Sequence, residues 1–193
     1  MKKAKKGLLL ALCAVLLVGA TIAGTVAYLT SVTTEVKNTF TAGNVTITLD
    51  EAPVDQYGQV VEGDRVTENK YKLIPGHTYA KDPTIHVGAD SEDCWVFAKL
   101  ENGLGANVTI KINSGWTSVA TTDGNVVYAY NTKMTAGQST APLFSEFTFA
   151  GTADPEACKD ASIVIIGYAV QADGFATPEA AWTAAPATWP AGN

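Results

Sequence analysis

Along most of the chain apolar positions recur every second residue. In residues 43–50, Val45, Ile47 and Leu49 share one face and Asn44, Thr46, Thr48 and Asp50 the other. That alternation marks a half-buried strand. Residues 107–113 repeat it, with Val108, Ile110 and Ile112 set against Thr109 and Lys111. In residues 94–100, Cys94, Val96, Ala98 and Leu100 alternate with Trp95, Phe97 and Lys99, so both faces are substantial and a central strand is expected. Residues 126–130 follow Asp123-Gly124-Asn125, a hairpin signal, because Asp-Gly accepts the positive φ angles of a tight turn. Residues 143–149 bring Leu143, Phe147 and Phe149 together. Residues 162–171 contain Ile163, Val164, Ile165 and Ile166 in a row, which predicts a strand buried on both faces.

Turn-forming clusters separate these runs: Pro75-Gly76, Asp82-Pro83, and residues 89–93, 102–107 and 151–155. Residues 52–70 are polar, with a hairpin pattern of their own around Tyr57-Gly58 and Gly63-Asp64, and read as an excursion from the main body. One short helix is expected. Thr177 caps it, Pro178 suits the first helical position, Glu179 favours the positive end of the dipole, and Ala180, Ala181 and Trp182 follow. Eight or more short strands with one small helix predict an all-β, jelly-roll-like β-sandwich over residues 43–183, with a loose tail at 184–193.

The start of the chain departs from this pattern. Lys2, Lys3, Lys5 and Lys6 precede an apolar run over residues 7–23, and small residues end it: Gly19, Ala20, Ala23, Gly24, Thr25 and Ala27. This reads as a secretory signal helix, residues 1–27. Thr25-Val26-Ala27 suits a peptidase that wants small side chains, so cleavage is expected between Ala27 and Tyr28. An uncleaved anchor is the rival reading, since residues 7–29 are just long enough to span a bilayer. The Gly- and Thr-rich end of the run favours cleavage. After it, contact with a membrane ends.

Charge changes the picture once the signal is set aside. The chain carries 13 basic and 19 acidic residues, a net charge of −6. Removing the four signal lysines leaves nine basic residues and a net charge of −10. Such a body repels nucleic acid and anionic lipid. Export also sets how the cysteines are read. Cys13 leaves with the signal; Cys94 and Cys158 remain in an oxidising location. Either they form a disulfide that closes a long loop, or they are two buried thiols in strands.

Residues 28–40 form the new N-terminus. Tyr28, Thr30, Val32, Thr34, Val36, Asn38 and Phe40 fall on one side, mainly aromatic or β-branched. Leu29, Ser31, Thr33, Glu35, Lys37 and Thr39 fall on the other, mainly polar. That is strand chemistry ahead of the first core strand. Such a segment pairs within its own domain or completes the sheet edge of a neighbour. Head-to-tail donation between identical chains does not close, and builds a filament.

Several motifs carry a family resemblance. Gly24-Thr25-Val26-Ala27-Tyr28-Leu29-Thr30 followed by Asn38-Thr39-Phe40-Thr41-Ala42-Gly43-Asn44-Val45 resembles the start of exported proteins of the TasA/camelysin family. Leu73-Ile74-Pro75-Gly76-His77 is similar to that family's L-x-PG turn. Cys94-Trp95-Val96-Phe97-Ala98-Lys99-Leu100-Glu101-Asn102 is similar to its next core strand. Pro142-Leu143-Phe144 and Gly167-Tyr168-Ala169-Val170-Gln171-Ala172-Asp173-Gly174-Phe175 resemble a late strand and turn of clostridial-type members. The resemblance implies a signal processed by a SipW-type peptidase, a jelly-roll body, and secretion to the extracellular matrix or cell surface of a Gram-positive-type bacterium. It also implies fibre assembly by strand donation from the mature N-terminus, with Tyr28, Thr30, Val32, Thr34 and Val36 as the donor face. The partners would be further copies of the chain or related matrix subunits. The chain is shorter than the family's main fibre former and lacks its long insertions, which leaves open a fibre subunit or an accessory.

The camelysin branch has been classed as metal-dependent endopeptidases, so a metal site has to be sought. No His-Glu-x-x-His motif occurs. The two histidines, His77 beside a Pro-Gly turn and His86 in an expected strand, are nine residues apart and meet only if the fold brings them together. No Gly-x-Ser-x-Gly elbow occurs, and neither histidine has an evident carboxylate partner. Asp90, Glu92 and Asp93 lack calcium-loop spacing and read as a solvated turn. The Asn44-Val45-Thr46 and Asn107-Val108-Thr109 sequons fall in expected strands and read as accidental. No phosphate-binding glycine loop is present, so no cofactor is expected. The functions in view are therefore a structural matrix subunit, a secreted metal-dependent endopeptidase, and a monomeric cell-surface binding module.

Overall fold

A computed structural model of the chain describes residues 44–187. The expected signal helix, the cleavage site Ala27/Tyr28, the donor positions Tyr28, Thr30, Val32, Thr34 and Val36, and the end of the tail lie outside the described residues.

The described residues form nine strands and one short helix. The strands are β1 (Ile47–Asp50), β2 (Thr78–Ala80), β3 (Thr84–Val87), β4 (Cys94–Asn102), β5 (Val108–Ile110), β6 (Trp116–Thr122), β7 (Asn125–Tyr130), β8 (Glu146–Phe149) and β9 (Ile163–Gln171); the helix is α1 (Pro178–Ala184). All strand pairs are antiparallel. One layer is the four-stranded sheet β6-β7-β4-β9. The ladders β1-β3 and β2-β8-β5 make up the other. Main-chain bonds join these two ladders: Lys81 N–H to Ser145 O, Leu143 N–H to Pro83 O, Thr140 N–H to Ile85 O and Val87 N–H to Gln138 O. Residues 137–149 thus run antiparallel to residues 78–87, and the second layer reads β1, β3 and β2 together, then β8 and β5. The result is an all-β, jelly-roll-like sandwich with a single C-terminal helix.

The core explains why these residues choose these elements. Ile85, Val87, Cys94, Val96, Ala98 and Phe144 meet between the layers, joined by the part-buried Ile47, Leu49, Ile163 and Ile165. On the other face of β4, Trp95 and Phe97 pack with Val127, Ala129 and Ala181, so α1 covers the outside of the four-stranded sheet. A third cluster gathers Tyr79, Phe147, Phe149, Leu104 and Cys158 beneath the β2-β8-β5 ladder. Each large side chain fully withdrawn from water contributes about 1.5–3 kcal/mol. The helix forms as its sequence signals predict: Thr177 Oγ1 accepts from Ala180 N–H and Pro178 opens the first turn. The β6-β7 turn places Asp123 at φ 52° and Gly124 at φ 80°, the paired positive angles of a tight hairpin.

Several elements differ from the sequence expectation. The first strand begins at Ile47 rather than at residue 43, and the strand expected over 107–113 is confined to Val108–Ile110 behind a 3-10 turn at Gly105–Asn107. β8 begins at Glu146, and Leu143 and Phe144 lie buried ahead of it. β9 is not buried on both faces. It is half-buried at every position but Val164, which is 39% exposed, and its one hydrogen-bonded neighbour among the described residues is β4.

Candidate functional site

β9 is the edge that stands out. Its register with β4 runs from Asn102↔Ile163 to Cys94↔Gln171 without a break. Antiparallel ladders alternate bonded and non-bonded pairs. Gly103 N–H donates to Ser162 O at one end and Ala172 N–H to Asp93 O at the other. The even residues Val164, Ile166, Tyr168 and Val170 therefore bond to β4. The amides and carbonyls of Ile163, Ile165, Gly167 and Ala169 point away from it. The side chains of Ile163, Ile165 and Ala169 still pack into the inter-layer core. This edge thus offers main-chain hydrogen bonds beside an apolar wall, the two things an added strand needs. Gly167 lets β1 and β3 come close: a Cβ there would sit 3.3 Å from the Cδ1 atoms of both Ile47 and Ile85.

A cleft of about 860 Å³ opens beside the first half of β9, with Leu49 on one side, Ile163 and Ile165 on another, and residues 66–73 of the excursion as a wall. Polar contacts hold that wall. Glu51 and Val66 exchange both main-chain bonds at 2.8 Å, and Lys72 N–H donates to Gln56 O at 2.7 Å. Arg65 bonds the Asp50 carboxylate through Nε, and its Nη1 donates to Asp82 Oδ2 at 2.9 Å. Deeper, Lys81 Nζ donates to Glu51 Oε2 at 2.5 Å and Asn69 Nδ2 to Glu51 Oε1 at 2.9 Å. Burial, with the Glu51 and Asp82 carboxylates nearby, pushes the Tyr71 hydroxyl far above its ordinary range.

The two histidines do not meet in one site. His77 packs edge-on against Tyr79, with Nε2 2.9 Å from Tyr57 O. His86 sits in β3, with Nδ1 2.6 Å from Ser139 Oγ and Nε2 2.9 Å from Asp50 Oδ1. His86 therefore has the carboxylate partner that the sequence did not reveal. Burial raises the Asp50 carboxyl, but hydrogen bonds and charge from Arg65 and His86 outweigh it and hold the group below its ordinary value.

Ser139, His86 and Asp50 form a hydroxyl–imidazole–carboxylate row. Nucleophilic catalysis also needs donors aimed at a developing oxyanion. The amide after Ser139, Thr140 N–H, is committed to Ile85 O, and Val87 N–H to Gln138 O. The cleft is lined by Asp50 but by neither His86 nor Ser139. The row acts as a cross-strand tie between β1, β3 and residues 137–140. No group of three or more metal-ligating side chains occurs among the described residues.

Cys94 and Cys158 are both buried free thiols, Cys94 in the inter-layer core and Cys158 in the cluster under β2-β8-β5. Burial, then the nearby Asp93, pushes the Cys94 thiol up to about 11. Asn107 Nδ2 donates to Cys158 Sγ at 3.4 Å. Asp93 of the acidic turn pairs with Lys133 Nζ at 2.8 Å. No described helix is long and apolar enough to cross a membrane.

These features define a class, an antiparallel β-sandwich whose long strand β9 is paired on a single side among the described residues. No family model, no curated protein and no solved structure matches the chain.

Proposed function

We propose that the chain is a secreted structural subunit, or accessory, of extracellular matrix fibres, and that it assembles by donating residues 28–39 to the β9 edge of another copy. The observation that carries this reading is the nine-residue β9, bonded among the described residues to β4 alone, with the amides of Ile163, Ile165, Gly167 and Ala169 directed to the other side. An arriving strand gains a row of main-chain bonds, and the alternate side chains Val32, Thr34 and Val36 meet the apolar wall of Ile163 and Ile165. Donation passes from copy to copy in one direction, so growth is linear. Both donor and acceptor belong to every copy, which makes the chain its own partner, with related matrix subunits as the accessory case. A SipW-type peptidase frees the donor end during export, at the surface of a Gram-positive-type bacterium.

Negative-stain imaging of the protein starting at Tyr28, with and without residues 28–39, tests the proposal. Fibres are expected from the longer protein and none from the shorter one. Fibres that survive the deletion remove the donor role. A protein that stays single at high concentration with its arm intact is a binding module. Stoichiometric zinc with EDTA-sensitive casein cleavage makes it an endopeptidase.

A further inference from the structure

We propose that Lys81 and Asn69 become joined by an intramolecular isopeptide bond, which the chain forms by itself with Glu51 as proton carrier. The three residues come from separate segments: the end of β1, the end of the excursion and the exit of β2. Their side chains converge at the cleft wall, with Glu51 4% exposed overall, the Lys81 side chain 10% exposed and Asn69 half-buried. The amine and the amide nitrogen occupy the two oxygens of one carboxylate, Lys81 Nζ on Oε2 at 2.5 Å and Asn69 Nδ2 on Oε1 at 2.9 Å.

The neighbours fix which way the amide faces. Val54 N–H donates to Asn69 Oδ1 at 3.0 Å, and Asn69 Nδ2 donates to Ala52 O at 2.9 Å. A flipped amide would set donor against donor and acceptor against acceptor. In this orientation each part of the reaction has its group. The Val54 amide lies on the oxygen where negative charge builds when the carbonyl carbon is attacked. The nitrogen that must leave faces Glu51, which also holds the attacking amine. Holding amine and amide together replaces an encounter that is ineffective between free molecules in water.

The step balances. Glu51 takes a proton from the Lys81 ammonium, and the freed amine attacks Cγ of Asn69. The Nζ–Cγ bond forms and the Cγ–Nδ2 bond breaks. Two protons of the former ammonium end on the departing nitrogen, which leaves as ammonium, and Glu51 returns to its starting state. One amide replaces another, with no change of oxidation state and no co-reactant. The product ties residue 69 to residue 81 and locks the excursion wall of the cleft against β2. It does not depend on fibre assembly.

Intact-mass measurement on the purified full chain, in whatever processed form it is obtained, reads the bond directly. The expected mass is below that of the sequence by one ammonia. In a tryptic digest, residues 66–70 are expected to stay attached to Lys81, with cleavage after Lys81 blocked. Lys81→Arg keeps the positive charge without a primary amine, and Glu51→Gln keeps the shape without the proton carrier; both are expected at full sequence mass. The unsubstituted protein decides the matter even if a variant fails to fold. Full sequence mass with a free 66–70 peptide overturns the proposal. So does an ammonia loss that maps to a succinimide at Asn69 with no peptide attached.

Discussion

β4 and β9 are both nine residues long and mainly apolar, and they pair with each other along their whole length. They differ in what lies on the far side. β4 has β7 there, core on both faces, and six consecutive buried residues from Cys94 to Lys99. β9 has no hydrogen-bonded neighbour there among the described residues and is half-buried along its length. Composition does not separate a strand that holds the sheet together from one that ends it. Position does, and position depends on which other segments reach the ladder first. β7 reaches β4 through the β6-β7 hairpin, with its four-pair register from Phe97↔Ala129 to Leu100↔Val126. β1 lies next to β9 but gives its hydrogen bonds to β3 instead.

The largest effect is expected on the β4 side. Phe97 is fully buried between the sheet and α1 and touches Tyr168 and Trp182. Phe97→Ala should cost about 3–5 kcal/mol, measured by denaturant unfolding. On β9 the backbone matters more than the side chain. Ala169→Pro removes an amide that faces away from β4 and should leave the β4-β9 ladder in place. Its expected result is loss of fibres on negative-stain grids with a far smaller loss of stability than Phe97→Ala.

A smaller effect concerns the polar tie on β1. Asp50 is held below its ordinary value of 3.8, so it binds a proton less readily in the folded protein than in the unfolded chain. Its contribution is complete above that value and disappears as pH falls through the lower folded value. Unfolding midpoints along a descending pH series should therefore drop in the acid range, and Asp50→Asn should flatten that drop. The smallest change is expected from Val164→Thr on the exposed side of β9, within about 0.5 kcal/mol of the parent. A cost approaching that of Phe97→Ala would mean that β9 is covered on that face.

Much of this contrast was legible in the chain itself. The alternation in residues 94–100, the Asp123-Gly124 turn with the strand at 126–130 behind it, and the Thr177-Pro178-Glu179 start all sit where their local signals place them, because each rests on neighbours one to four residues away. β2 left little trace and β3 only the strand expected at His86: they span three and four residues. β6 shifts register between Ser118 and Ala120, which breaks the period of two. The run of branched residues in β9 predicts burial on both faces and the strand is only half-buried, because a partner far along the chain decides it. The polar clusters were the least legible. Glu51, Asn69 and Lys81 are separated by 18 and 12 residues, and no spacing rule links them. His86 and Ser139 meet only because residues 137–140 run beside β3.

Assembly as proposed requires the outer edge of β9 to receive a strand. Amide hydrogen exchange on protein lacking residues 28–39, with and without an added peptide of that sequence, tests it most directly. The amides of Ile163, Ile165, Gly167 and Ala169 are expected to exchange quickly alone and to become protected when the peptide is present, while those of Val164, Ile166, Tyr168 and Val170 stay protected throughout. Protection of all eight amides before the peptide is added, or none gained afterwards, would contradict it.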